Sequence, residues 1–237
     1  MTWYYLSIDD TDTLDTVGTG HVLNDFLERL PFQSSFISRH QLFVHESVPY
    51  TSHNSAMCTK LEADISQGEL VRCAADYLAY RFVPGSDPGL CVASCDELEM
   101  PQSLVEWGLR AKTQRLEKED AYALAQSCHV HLSEHGGTGQ GVIGALAAVG
   151  LRIFGSDGRV RGRRTVQPGI MTVGDLLAQT GFDRVARCDG ALVPAEELVD
   201  VGTGDIKAVL QDGCCTVLAE AGDNAYILLS KEELKRY

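Results

Sequence analysis

Three features that would assign the chain to a special class of protein are missing from its 237 residues. It has no apolar run near the roughly 18 to 20 residues that cross a bilayer, so we expect no membrane partner. Residues 1–5 include no basic segment leading into a long apolar stretch, which argues against a secretory signal. The eight cysteines form no Cys-x-x-Cys pair and no zinc-ribbon spacing. We therefore expect reduced thiols and a cytoplasmic protein.

Positive charge is also scarce. The chain has 20 lysines and arginines against 33 acidic residues, which gives a net charge of −13. Proteins that draw their affinity from nucleic-acid phosphates are normally basic, so a nucleic-acid partner would need a local basic patch. One such patch comprises Arg159, Arg161, Arg163 and Arg164. The 44% of hydrophobic and 22% of charged residues are typical of a globular chain.

The spacing of the apolar residues divides the chain into two regions. Strand-like runs alternate with helical patterns in the first region, the clearest of them at residues 3–8, 22–30, 56–65, 69–82 and 142–149. This alternation predicts a mixed α/β (α+β) domain over residues 1–158. Glycine and arginine then become frequent and short strands alternate with turns, which predicts a small β-rich unit over residues 159–237.

Glycine predicts two helix boundaries in the first region. We expect the helical residues 103–126 to break near Gly108, because glycine weakens a helix interior. For the same reason we expect the helix at residues 142–149 to end at Gly150. Between these helices, residues 128–132 predict a short strand.

Three carboxylates follow the first predicted strand, in the sequence Ile8-Asp9-Asp10-Thr11-Asp12-Thr13. Such strand ends are where α/β folds build their sites. Crowded carboxylates repel one another, and Mg²⁺ relieves this repulsion because it prefers oxygen ligands and can also bridge nucleotide phosphates. Asp9, Asp10 and Asp12 are therefore the predicted metal ligands. The alternative is a solvated turn in which Asp and Thr cap the next helix.

Two glycine-containing segments offer backbone amides to an anion. Gly18 and Thr19 precede the first predicted helix, whose N-terminal amides can bind phosphate, and a plain capped turn is the alternative. Residues 135–141 form a glycine-rich loop that opens the apolar helix of residues 142–149, and this segment includes Gly139, Gln140, Gly141 and Gly144. The loop is not a dinucleotide fingerprint, because no acidic residue ends a second strand about 20 residues later. It is not a Walker loop either, because no Gly-Lys-Ser/Thr follows.

Two further segments have side chains that could line a ligand site. In Cys128-His129-x-His131-x-x-x-His135 the residue types suit zinc, but a strand would put Cys128 on the opposite face from the first two histidines, so hydrogen-bonded lining is favoured. The loop at residues 48–56 carries Tyr50, His53 and Asn54, which would either orient a ligand or simply connect a hairpin.

Taken in order, these motifs resemble the archaeal tRNA-isoleucine agmatidine synthetase family over about residues 3–155. That family opens with a strand running into Ile-Asp-Asp-Thr-Asp-Ser, and a threonine in register with Thr19 begins its next helix. The further matches are Val48-Pro49-Tyr50 with Asn54, Asp87-Pro88-Gly89, His131-Leu132 and the segment 141–150. Several motifs in one order are far more specific than any one of them alone.

The resemblance implies a kinase-like domain that uses ATP and Mg²⁺ to modify a tRNA cytidine with agmatine. By position, Asp9, Asp10 and Asp12 would hold the metal, Asp10 and Asp12 would be catalytic, and Thr19 would be phosphorylated. The residues near the nucleotide would be Thr11, Gly18, Gly139, Gln140, Gly141 and Gly144. Those near the acceptor would be Tyr50, His53, Asn54 and His131.

Two departures from the family pattern limit what is carried over. The family has basic residues in its glycine-rich loop, where this chain has Gly136, Gly137, Thr138 and Gln140. Phosphoryl transfer needs positive charge, so Arg152 or the arginines of residues 159–164 would have to supply it. The cysteine spacing of the family's zinc ribbon is also absent, so we expect the resemblance to cover the kinase-like region only.

We therefore expect an ATP/Mg²⁺-dependent phosphotransferase or ligase-like enzyme, whose acceptor is a small molecule or an RNA delivered by a partner. Two alternatives remain open. The loop without lysine or arginine would also suit a non-catalytic nucleotide-binding regulatory module. The run Asp10-Thr11-Asp12-Thr13-Leu14 loosely fits the nucleophile motif of haloacid-dehalogenase-type phosphatases.

Overall fold

The computed structural model describes residues 1–46, 48 and 53–237. The chain divides into two compact units, Met1–Phe154 and Gly155–Tyr237. Helices and mostly antiparallel strands occur together, which confirms the predicted α+β class. No helix among the described residues is both long enough and apolar enough to cross a membrane.

The first unit is built on an antiparallel sheet. Its strands are β1 (Thr2–Asp9), β2 (Gln33–Ser34), β3 (Ser38–Gln41), β4 (Ser55–Ala63), β5 (Gly89–Ser94) and β6 (His131–Glu134). They lie in the order β6-β5-β1-β4-β3, and β2 also pairs with β4. The central strand β1 places Ser7 opposite Cys58 of β4 and Cys91 of β5. The run of aspartates that follows Ile8 therefore begins at the end of the central strand.

Helices cover both faces of this sheet. They are α1 (Thr19–Arg29), α2 (Gln67–Arg81), α3 (Pro101–Ala111), α4 (Lys118–Ser127) and α5 (Gly141–Phe154). One core joins α1 and α2 to Tyr4, Leu6 and Ile8 of β1. The other joins α3, α4 and α5 to alternate residues of β4 and β5. Because side chains alternate along a strand, β1 turns Ser7 and Asp9 towards the α5 face.

Two glycines lie inside helices rather than at helix ends, so the boundaries predicted from them are wrong. Gly108 is in the middle of α3, and the break falls at residues 112–117 instead. A Cβ on Gly108 would lie 2.8 Å from the Ala147 carbonyl oxygen of α5. A Cβ on Gly150, inside α5, would overlap the Leu104 carbonyl oxygen of α3. Both glycines are needed because the two helices pack closely, which local sequence does not reveal.

The strand predicted at residues 128–132 begins later than expected. Cys128 follows the last residue of α4 as its C-cap, and its N–H donates to the Leu124 carbonyl oxygen at 3.0 Å. His129 then has a positive φ of 55° and turns the chain. Strand β6 follows only from His131, so the histidines of this segment do not share one strand.

The second unit is rich in short strands. They are β7 (Arg159–Val160), β8 (Arg164–Thr165), β9 (Ile170–Thr172), β10 (Arg184–Arg187), β11 (Leu198–Asp200), β12 (Asp205–Ile206), β13 (Val209–Gln211), β14 (Cys214–Ala221) and β15 (Tyr226–Leu228). Helix α6 (Val173–Thr180) and a 3-10 helix, Glu233–Arg236, complete it. Its main sheet runs β7-β13-β14-β15-β11-β9, with β10 parallel to β14. Its core includes Val209, Leu218 and Leu234.

Candidate active site

The acidic motif begins at the end of β1 with a change of backbone direction. Asp9 is the last residue of the strand, and Asp10 has a positive φ of 52°. Aspartate is one of the few residues that adopt this left-handed conformation without large strain. The carbonyl oxygen of Asp10 accepts a hydrogen bond from the backbone N–H of Asp87 at 2.9 Å. The turn before β5 is therefore fixed to the turn after β1.

Asp12 binds the first residue of α1. Its Oδ1 accepts hydrogen bonds from the N–H of Thr19 at 3.1 Å and from the Thr19 hydroxyl at 2.7 Å. The N–H and the hydroxyl of Thr11 in turn donate to Thr19 Oγ1 at 3.3 and 3.2 Å. A carboxylate at a helix N-terminus is stabilised by the helix dipole. Asp12 therefore caps α1, and Thr19 is held in a closed network in which it is only 4% exposed.

Asp9 joins the acidic motif to the glycine-rich segment. Its side chain is buried and points at α5, where a Cβ on Gly144 would overlap its Oδ2 atom. Burial, and then the neighbouring charge of Asp10, raise the pKa of Asp9 well above its ordinary value. Glycine at position 144 is thus required by the carboxylate that lies against the helix, and two motifs 135 residues apart in the chain meet at one point.

Asp87 holds the glycine-rich loop on the same side of the unit. Its Oδ1 accepts the N–H of Gly139 and its Oδ2 accepts the hydroxyl of Thr138, both at 2.5 Å. The backbones also approach closely, since a Cβ on Gly89 would overlap the Gly141 carbonyl group. Asp87 belongs to the Asp-Pro-Gly match but was not predicted as a site residue. The signal that could have found it is its place immediately before a strand that pairs with β1.

The carboxylates of Asp9, Asp10, Asp12 and Asp87 are close enough to influence one another. The pKa of Asp10 rises to about 6, mainly because of burial and then because of the charges of Asp87 and Asp12. Within the described residues, no three His, Cys, Asp or Glu side chains form a ready-made group of metal ligands. Mg²⁺ commonly uses only one or two carboxylates and completes its octahedron with water and phosphate oxygens. The oxygen-only donor set fits a Mg²⁺ ion bound in this way.

A lysine outside the loop contacts it. Lys118 Nζ, at the start of α4, donates to the Thr138 carbonyl oxygen at 2.9 Å and lies 3.1 Å from Glu134 Oε1. The hydroxyl of Tyr122, one turn further along α4, also donates to Glu134 Oε1, at 2.9 Å. No local pattern indicated Lys118, because it precedes Thr138 by 20 residues and lies on a separate element.

Arg152 does not supply the charge at the loop. It occupies the last turn of α5, roughly 16 Å along the helix from Gly141 at about 1.5 Å per residue. Its guanidinium donates to the Ser35 hydroxyl at 3.0 Å and lies 3.7 Å from the centre of the Phe36 ring. This position is a buried stacking site against the segment before β3. The arginines of residues 159–164 belong to the second unit.

The histidine segment forms a hydrogen-bonded row rather than a zinc site. Ser133 Oγ lies 2.9 Å from His131 Nε2 and 2.8 Å from His135 Nε2, on one side of β6. Burial lowers the pKa of both histidines, so their neutral forms are favoured. His129 instead lies 3.4 Å from Glu99 at the surface, and Cys128 is buried in the core. The structure therefore does not bring these four residues together as metal ligands.

The polar loop before β4 is placed only in part. Tyr50 lies outside the described residues. Asn54 donates its side-chain N–H to the Phe43 carbonyl at 2.7 Å, and its own carbonyl accepts the N–H of Leu42 at 2.8 Å. His53 is exposed beside it. Asn54 therefore shapes the ends of this loop in the structure.

Comparison with solved structures finds related folds. The complex of TiaS with an isoleucine tRNA and ATP has a TM-score of 0.57 at 19% identity, covering 89% of this chain and 52% of that one. Apo TiaS, a tRNA-isoleucine agmatidine synthetase, gives a TM-score of 0.54 at 20% identity, covering 81% and 48%. A tRNA fluorescent labeling enzyme gives 0.55 at 21% identity, covering 72% and 39%.

The chain thus spans about half the length, or less, of the structures it matches. No protein-family model and no curated protein matches the sequence. The structural likeness nevertheless extends over most of the chain. It confirms the resemblance noted in the sequence at the level of the fold: the chain has an agmatidine-synthetase-like fold.

Proposed function

We propose that the protein is an ATP- and Mg²⁺-dependent phosphotransferase or ligase-like enzyme related to tRNA agmatidine synthetase. The observation that carries this proposal is the contact between the Asp9 carboxylate and Gly144 of the glycine-rich segment. In this contact one predicted metal ligand, Asp9, lies against the first turn of α5, and the amides at the start of this helix and in the glycine-rich loop before it suit phosphate oxygens. The matched complexes of TiaS with ATP, and with AMPCPP and agmatine, support the same interpretation.

The acidic residues would bind the metal and hold it near the nucleotide. Burial, and then the charges of neighbouring carboxylates, raise the pKa values of Asp9 and Asp10, and a bound cation would offset that charge. Asp12, near the N-terminus of α1, is the third proposed ligand, and one or two of the three carboxylates would bind the ion directly. When bound, Mg²⁺ would neutralise phosphate charge and orient the transferring group. Thr11, Gly18 and the residues Gly139, Gln140, Gly141 and Gly144 would surround the nucleotide.

Thr19 is the proposed phosphoryl acceptor within the chain. Its hydroxyl donates to Asp12 at 2.7 Å, so the proton already has a carboxylate to accept it. In the transfer, Thr19 Oγ1 would bond to the γ-phosphorus, the bond from that phosphorus to the bridging oxygen would break, and ADP would leave. The bonds from Thr11 to Thr19 would have to open first, because they occupy the same oxygen.

The final acceptor would be a small molecule or an RNA delivered by a partner. The tRNA complexes among the matched structures favour RNA, whereas the net charge of −13 requires that any RNA bind at a local basic patch. Tyr50, His53, Asn54 and His131 are the proposed acceptor-binding residues. A non-catalytic nucleotide-binding module is the second candidate, since the loop itself contains no lysine or arginine.

The test is ATP binding and turnover with and without Mg²⁺ in the wild type and in Asp10→Asn. Asp15→Asn is the matched control, because Asp15 is exposed in the same acidic segment. Calorimetry measures binding, and transfer of ³²P from the γ-position measures chemistry, with the label sought on Thr19. Mg²⁺-dependent turnover that is lost in Asp10→Asn alone would support the enzyme. Binding without transfer would favour the module, and absence of ATP binding would contradict both.

A further inference from the structure

The glycine-rich loop presents hydrogen-bond donors that an anion already occupies. The Asp87 carboxylate accepts both the Gly139 N–H and the Thr138 hydroxyl. An amide and a hydroxyl that converge on two oxygens of one carboxylate would suit two oxygens of a phosphate equally well. Donors of this kind carry no net charge, however. A nucleotide phosphate at this loop still requires a cation.

Lys118 lies where such a cation is needed. Its ammonium donates to the carbonyl of Thr138, the same residue whose hydroxyl is held by Asp87. Lys118 and the Asp87 carboxylate therefore bind adjacent loop residues, Thr138 and Gly139. The Lys118 side chain is 23% exposed, which leaves part of it open to solvent. In the described chain it has two acceptors for its three N–H bonds, Thr138 O and Glu134.

The position of Lys118 on its own helix is unfavourable by local rules. It is the first residue of α4, where the partial positive charge of the helix N-terminus repels a cation. Glu119 and Asp120 follow in the same turn and suit that end of the helix. A cation at a helix N-terminus, where it does not stabilise its own helix, indicates a role in contacts outside that helix. The contacts of Lys118 with the loop and with Glu134 provide one.

We propose that Lys118 is the phosphate-binding cation of this site and takes the place of the basic residues that the glycine-rich loop lacks. This proposal rests on the proposed ATP-binding function and assigns its phosphate contact. The four-carbon lysine stem is flexible, so the ammonium can exchange the Glu134 carboxylate for a phosphate oxygen while it stays beside Thr138. Glu134 then acts as the anion that holds Lys118 in place before the nucleotide binds.

The alternative is that Lys118 only anchors the loop, and paired variants separate the two roles. Lys118→Met removes the ammonium, Lys118→Arg keeps a cation, and Glu134→Gln removes the competing carboxylate while it leaves the lysine. A phosphate-binding lysine predicts opposite effects of Lys118→Met and Glu134→Gln. A loop anchor predicts that both changes weaken binding, because each breaks the same ion pair.

The experiment is calorimetric titration of the full chain with ATP in Mg²⁺ and, separately, with adenosine. Thermal unfolding of every variant checks folding. We expect Lys118→Met to weaken ATP binding by about 10- to 100-fold, the range for a charge-assisted hydrogen bond, with adenosine unaffected. Lys118→Arg should restore affinity to within about threefold, and Glu134→Gln should tighten ATP binding.

Three results would overturn the proposal. If Lys118→Met weakened the binding of ATP and of adenosine equally, and Glu134→Gln did the same, Lys118 would be a structural anchor of the loop. Wild-type affinity in Lys118→Met would remove Lys118 from the phosphate site and leave the proposed function standing. Failure of the wild type to bind ATP would remove the proposed function and this inference together.

Discussion

Gly144→Ala tests the contact that joins the acidic motif to α5. Alanine normally stabilises a helix interior by about 1 kcal/mol relative to glycine. At position 144 the new Cβ would overlap Asp9 Oδ2, and it would lie 2.8 Å from Asp9 Cγ and 3.0 Å from Leu42 Cδ1. Asp9 is buried, so it cannot simply swing into solvent. The carboxylate or the helix must therefore move.

We expect overpacking to outweigh helix propensity. Inserting a methyl group into a packed interior costs about 1 to 3 kcal/mol. For a chain of this size, that loss lowers the melting temperature by about 2 to 12 °C. Displacement of Asp9 should also weaken Mg²⁺-dependent ATP binding. Thermal unfolding by circular dichroism measures the first effect, and calorimetry measures the second.

Gly68→Ala is the matched control for this experiment. Gly68 lies in α2, and the nearest atom to a Cβ built there is Arg72 Nη1 at 3.9 Å. This change should leave ATP binding unaltered and raise stability by up to about 1 kcal/mol. If Gly144→Ala matched Gly68→Ala in stability and bound ATP as the wild type does, Asp9 would not be held against α5, and the site geometry described above would be incorrect.

Three further predictions concern titration and capping. Because the pKa of Asp10 is raised to about 6, the folded state binds its proton more tightly than the unfolded chain, and metal-free stability should fall as the pH rises from about 4 to 6. Asp10→Asn should remove this loss and so raise stability by about 1 to 2 kcal/mol, after solvent screening, in thermal unfolding with EDTA at pH 7.5. At pH 4 the same substitution should give no gain. An equal gain at both pH values would contradict the assignment. Asp12→Ala should lower the free energy of unfolding by about 0.5 to 2 kcal/mol, because the hydrogen bonds from Thr19 to Asp12 are lost. Asp12→Asn keeps an acceptor oxygen and should recover most of this loss, as measured by thermal unfolding. In NMR titrations His131 and His135 should stay mostly neutral at pH 6.5, and midpoints above that value would show that they are not buried as described.

The fold class and the acidic motif were predictable from local sequence. A short apolar run marks β1. Alternating apolar residues mark β4 and helical spacing marks α1 and α2, because burial on one face imposes a period on these elements. The run from Asp9 to Asp12 was recognisable by its composition alone. The order of these motifs then led to the agmatidine-synthetase resemblance, which the structural comparison supports at the level of the fold.

The glycines show where local reasoning failed. Gly108 and Gly150 were interpreted as helix breakers, yet both lie within helices and allow α3 and α5 to touch. Helix propensity describes an isolated helix, whereas two closely packed helices are more stable where a residue at their contact has no side chain. A single sequence contains no signal that distinguishes these two reasons for glycine.

The order of residues along the chain established which chemical groups are present: the aspartates after β1, the loop amides around Gly139 and the threonine that begins α1. Which of these groups meet was settled by the packing of the folded unit. Sheet pairing brings Asp87 to a loop 52 residues away, and helix packing brings Lys118 to Thr138. These contacts depend on strand register and helix position. Both arise from the packing of the whole unit, so no periodic pattern in the sequence indicates them.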